Sequence, residues 1–207
     1  MSLITEEQLD ALQEFINIGV GRAAGMLNEM VDSPILLNVP VLKIFDIDTL
    51  TQEVVTRFNS HSLSVVRLDY CGSFSGSAEL VFPTESASAL VALLTGEERD
   101  SPDLDAVKIG TLTEVGNIVI NGVLGSISNV LKQQMTYRLP LYFEDTIDRL
   151  LASNYSFDRH TVFLLAQTRF DIKQLEIMGE IILIFEMSSF GELLSCIDQE
   201  LGLISQP

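Results

Sequence analysis

The chain has 207 residues, 47% of them hydrophobic and 20% charged, with 29 acidic against 12 basic side chains and a net charge of −17. That length and apolar fraction are ample for a packed core without disulfide or metal support, and they exclude intrinsic disorder. The acidic excess repels nucleic acid and anionic membrane surfaces, and no apolar run reaches the roughly 18 residues a spanning helix needs.

The N-terminal stretch 1–7 is acidic and lacks the basic and apolar regions of a signal peptide, so secretion is not expected. Thr5-Glu6-Glu7-Gln8 is a capping-box pattern and predicts a helix start. The helix is expected to run to about Val31, with Leu9, Leu12, Ile16, Ala23, Leu27 and Met30 as its buried stripe. Asp10, Glu14 and Asn17 then share a separate face. Gly19, Gly21 and Gly25 fall inside the helix without the preceding strand of a phosphate loop, and are expected to permit close helix packing. Pro40 is placed at a strand entrance or a sheet edge, where no amide donor is needed.

Further along, 61–68 and 179–185 are rich in Val, Ile, Leu and Phe and read as strands. The charged stretch 96–103, with Gly96 and Pro102, reads as a connection that ends one unit before the next begins. A second helix is expected over about Leu104 to Lys132, with Leu112, Val115, Val119, Val123, Ile127 and Val130 in the core. Cys71 and Cys196 match no metal spacing and read as reduced, packed thiols of a cytosolic protein. His61 and His160 precede strands and are given no chemistry.

The two units are copies. Aligning 10–41 with 110–141 pairs Leu12/Leu112, Glu14/Glu114, Asn17/Asn117, Ile18/Ile118, Gly25/Gly125 and Pro40/Pro140. These six identities in 32 positions exceed the roughly two expected from composition. After a shift of three residues, 76–90 matches 179–193 through Gly76/Gly179, Phe82/Phe185 and Ser86/Ser189. Each half reads as a long helix, an extended segment, a short helix, two strands and a closing helix. The expectation is one domain over 1–207 made of repeats at about 5–96 and 103–202, whose six strands, three per half, form one shared sheet.

An Asn in the middle of both long helices needs a reason, because its short side chain competes with the backbone. A carboxylate can pair with a cation or take a proton, and an amide can hold a water in line with a phosphorus centre. Neither is a nucleophile, so such a pair suits a reaction centred on another protein.

These residues resemble the CheC, CheX and FliY phosphatases of bacterial and archaeal chemotaxis. Their motif is Asp or Ser, three residues, Glu, two residues, Asn, 22 residues, Pro. Asp10-Glu14-Asn17-Pro40 fits at every position, whereas Gly110-Glu114-Asn117-Pro140 departs where Gly110 replaces the Asp or Ser. With two motif sets and no room for a flagellar-switch domain, the chain is most similar to the CheC branch.

The resemblance implies an α/β (α+β) pseudo-twofold fold, with two long motif-bearing helices packed on a six-stranded sheet. It implies dephosphorylation of the aspartyl phosphate of a CheY-type response regulator in chemotaxis signalling. Asn17 and Asn117 would orient the attacking water, while Glu14 and Glu114 anchor a regulator lysine. No cofactor of its own is implied, since Mg²⁺ is held by the regulator. The alternative is a weakly catalytic adaptor that binds a partner such as the receptor deamidase CheD. Two internal halves favour a monomer, expected from its thiols and N-terminus to be cytoplasmic, and the complete first set is expected to matter at least as much as the second.

Overall fold

A computed structural model describes residues 4–30, 34–46, 49–50, 52–53, 62–96, 104–146, 161–172 and 175–203. The capping box forms as expected. Gln8 N donates to Thr5 Oγ1 at 3.2 Å and Thr5 N donates to Gln8 Oε1 at 3.0 Å, opening helix α1 at Glu6–Asn28. Three- and four-residue spacing then buries Leu12, Ile16, Val20, Ala23 and Leu27. The helix ends before Val31, so Met30 lies outside it and is exposed.

The remaining elements are β1 (Ile35–Phe45), β2 (Leu63–Gly72), β3 (Gly76–Pro83), α2 (Thr84–Thr95), α3 (Leu104–Val130), β4 (Met135–Tyr137), β5 (Leu141–Asp145), β6 (Thr161–Ile172), β7 (Leu175–Glu186) and α4 (Met187–Glu200). Helix α2 ends at Gly96, whose φ of 75° suits a residue without a Cβ. The rest of the expected connection at 96–103, the short helix of the second half, His61 and His160 lie outside the described residues.

All strands pair antiparallel in one sheet of order β1-β6-β7-β3-β2-β4, and β5 also pairs with β2. Strands β4 and β5 occupy successive stretches of the same β2 edge, so the sheet has the six expected strand positions, with the outermost one broken in two. Each half lends its first strand to the other half's second: β1 pairs with β6, and β4 and β5 pair with β2.

The register repeats too. Ile35 faces Ile172 and Asn38 faces Arg169, but Val41 faces Gln167, a slip of one residue across 39–40. In the second half Met135 faces Gly72 and Tyr137 faces Tyr70, but Leu141 faces Arg67, the same slip across Pro140. A proline has no amide to give the ladder, so the irregularity falls where the sequence places it. At the centre β3 pairs with β7 so that Glu79 faces Ile182, its own repeat-mate under the Gly76/Gly179 alignment. The pseudo-twofold axis passes through that pair.

The helices share one face of the sheet. Leu12, Ile16, Val119 and Val123 pack with Val66, Leu68, Leu80, Leu164 and Leu183 in the main core, and each such burial contributes about 1.5–3 kcal/mol. A smaller cluster, Leu63, Val65, Val81, Phe163, Leu165, Ile182 and Ile184 around Leu50, lies on the opposite face. The long helices meet at Gly19, where an added Cβ would stand 2.5 Å from the carbonyl oxygen of Gly122. Of the glycines expected to serve helix packing, only this one does, because added Cβ atoms at Gly21 and Gly25 meet nothing within 4 Å. Cys71 and Cys196 are free thiols as expected, but Cys71 is exposed rather than packed.

Candidate functional site

The spacing that buries Leu12, Ile16 and Val20 turns Asp10 and Glu14 outward on α1, and the same logic turns Gly110 and Glu114 outward on α3. Both glutamates are exposed, and neither makes an ion pair among the described residues. No side chain crowds Gly110: an added Cβ there meets nothing within 4 Å. The missing acid of the second set is therefore no steric accommodation.

Asn17 and Asn117 sit at equivalent half-buried positions but are engaged differently. In the first half Val39 N donates to Asn17 Oδ1 at 3.0 Å, and Asn17 Nδ2 donates to Val39 O at 3.4 Å. Val39 falls in the register slip, where the β6 ladder offers no paired residue, so the side-chain amide takes the ladder's place. This explains the 22-residue spacing between Asn17 and Pro40 in physical terms. The amide binds the residue just before the proline, and Val39 is left 1% exposed.

The second half makes no such clamp. Pro140 is half-buried, but Leu139 before it is 86% exposed, and Asn117 makes no bond to it. Its partner is instead Asn121, one helical turn on, whose Nδ2 donates to Asn117 Oδ1 at 2.7 Å. Asn117 Nδ2 has no partner among the described residues. Asn121 Oδ1 is buried with no hydrogen bond among the described residues. Sequence reasoning missed Asn121. The available signal was an Asn four residues after Asn117 on the motif face, where the first repeat has Gly21.

A second polar position also differs between halves. Gln8 is buried on α1, and its Nε2 donates to Asp198 Oδ1 of α4 at 2.7 Å. Its repeat-mate Lys108 is buried on α3 and pairs with Glu144 Oε1 of β5 at 2.5 Å, where Tyr142 Oη also donates at 2.7 Å. The hydrogen bond from Lys108, then that from Tyr142, holds the Glu144 carboxyl below its ordinary range. This pair ties the start of α3 to the edge strand beyond Pro140.

What the arrangement can do is bind and orient. A free amide N–H beside an exposed carboxylate can hold a water and a cation from a partner, and neither group is placed to attack a substrate itself.

No protein-family model matches the chain. It is 29% identical over 146 residues to the CheY-P phosphatase CheC of Bacillus subtilis, a match covering 66% of each. The aligned stretch thus spans just under two thirds of that relative. Among solved structures, Thermotoga maritima FliY superposes with a TM-score of 0.76 at 16% identity, covering 97% of this chain and all of that one. A chain of the CheX-CheY-BeF3-Mg complex of Borrelia burgdorferi gives 0.52 at 20%, covering 84% and 99%. The chain is thus similar in sequence to a CheC protein and shares the fold of the CheC, CheX and FliY proteins.

Proposed function

We propose that the protein hydrolyses the aspartyl phosphate of a CheY-type response regulator, with the second motif helix as its principal working face. The observation that carries this reading is the Asn117 amide, whose Nδ2 is unengaged one turn beyond the exposed Glu114. A donor on the water oxygen takes one lone pair and leaves the other for phosphorus. The water then forms the new P–O bond, the bond to the aspartyl oxygen breaks with its electron pair, and inorganic phosphate and a free carboxylate result. Glu114 anchors a regulator lysine so that the phosphoryl group meets the water in line; such positioning supplies most of what phosphoryl transfer requires.

The Mg²⁺ that neutralises phosphoryl charge belongs to the regulator in this scheme, and the chain works as a cytoplasmic monomer. Glu14 and Asn17 form the corresponding face of α1, but the Asn17 amide is committed to Val39. Val39 O takes one of the two N–H groups of Asn17 Nδ2, whereas both remain open on Asn117, which makes the first face the weaker despite its complete motif.

The direct test is the decay of a phosphorylated CheY-type regulator with and without the protein. Changing Asn17 and Asn117 together to Ala should abolish the acceleration. Acceleration that survives the double change in a folded protein refutes the catalytic assignment. Binding to the regulator or to CheD with no effect on decay by the unaltered protein would instead make it an adaptor.

A further inference from the structure

We infer that Asn121 is a positioning residue for the reaction: it fixes the Asn117 carboxamide so that the carbonyl oxygen is held within the protein and the amide N–H is presented to the water. This rests on the function proposed above and adds to it a residue outside the motif.

Three observations carry it. Among the described residues, the single side-chain hydrogen bond of Asn121 goes to the site itself, from Nδ2 to Asn117 Oδ1 at 2.7 Å. A donor at that place selects one of the two faces that an amide can turn inward, since a carbonyl accepts and an NH₂ group does not. Asn121 is also costly where it stands. It is a poor helix former inside α3, and its own Oδ1 is buried with no hydrogen bond among the described residues, so packing alone would be better served by an apolar residue. Finally, the two halves fix their motif Asn by different means. Where the first repeat has Gly21, it offers no such donor, and Asn17 is held through both its oxygen and its nitrogen by Val39. Asn121 holds only the oxygen of Asn117, which keeps the orientation and frees the nitrogen.

The discriminating substitution is Asn121→Asp. It preserves shape but replaces the donor with an acceptor, so Asn117 would turn its Nδ2 inward and its oxygen toward the water. Regulator dephosphorylation is measured with the full chain, alongside circular dichroism to establish folding. In Asn121→Asp, kcat should fall about 10- to 100-fold with KM unchanged, as expected when an oriented group is misplaced. Asn121→Gln, which keeps a carboxamide donor, should recover part of the loss. In an Asn117→Ala background, Asn121→Asp should change kcat no further, whereas a merely structural residue would still lower it.

Wild-type kcat in folded Asn121→Asp, or an equal further loss in the Asn117→Ala background, overturns the inference and leaves the proposed function standing. An unaltered protein that does not accelerate decay overturns both.

Discussion

In the first half, helix and edge strand are joined at Asn17, which supplies Val39 with the two hydrogen bonds the register slip leaves open. In the second half the slip recurs, but the strand breaks into β4 and β5 and Leu139 turns out to solvent. Leu141 beyond it is 64% exposed, and Arg138 N donates to Asp69 O of β2 at 2.9 Å just before the break. One sequence motif thus serves two purposes. Where the Asn is tied to the strand, the half gains a closed edge and gives up one of its two amide donors. Where a neighbouring Asn holds it, the amide stays free and the edge opens. Complete agreement with a motif is therefore a poor guide to how its Asn side chain is engaged.

The largest effect should separate the halves by activity. Asn117→Ala alone should lower regulator dephosphorylation about 100-fold, the scale for loss of an oriented group, while Asn17→Ala lowers it only a few-fold. Equal losses from the two single changes would erase the distinction drawn from the clamp. Next in size is the helix crossing that both halves share. Gly19→Val puts side-chain atoms where the Gly122 carbonyl oxygen and the Val123 Cα already stand within 2.6 Å of an added Cβ. Urea unfolding should show a loss of about 3 kcal/mol. A change of a few tenths would mean that the helices cross elsewhere.

Asn17→Ala should then reveal what its amide does. With Val39 buried, its N–H and C=O are left unpaired, and the loss should be about 2 kcal/mol. Asn117→Ala leaves only the Asn121 amide without its partner and should cost less. The reverse order in chemical denaturation would contradict the assignment of Asn17 to the strand. A smaller asymmetry lies at Gln8 and Lys108. The Glu144 carboxyl is held below its ordinary range on folding, so its contribution is complete above the unfolded glutamate pKa and is lost as pH falls through the depressed folded value. Lys108→Gln, which copies the first half, should flatten that part of the acid-unfolding profile. The change should be modest because the Glu144 side chain is 45% exposed. Superimposable profiles would show that the pair is not responsible.

The repeat, the two helices, the capping box and the strand order of each half were all legible in the sequence, because each rests on local period or spacing. The swap of β1 and β4–β5 between halves was not, since pairing partners are set by which edges remain open after the core forms. Nor was the fate of the two Asn side chains. Both follow a Glu by three residues. Among the changes that separate them are Gly21 to Asn121 and the packing of the residue before the proline, inward as Val39 or outward as Leu139. Those are tertiary decisions, invisible to a 22-residue spacing that is identical in both copies.

The glycines of α1 give the finest test. Gly21 occupies the place of Asn121, and an added Cβ there meets nothing within 4 Å; the same holds at Gly25. If no neighbour needs the space, an alanine gains only helix propensity, about 1 kcal/mol in mid-helix, or roughly 2–4 °C in melting temperature for a chain of this size. Gly21→Ala should therefore stabilise, in contrast to any substitution at Gly19 two residues away. Because Ala provides no donor, it should leave the Asn17 clamp and the activity as they are. A Gly21→Ala variant that melts lower would mean that this face of α1 is covered by something in the folded protein, and the first half could no longer be described as an open helix face beside a closed strand.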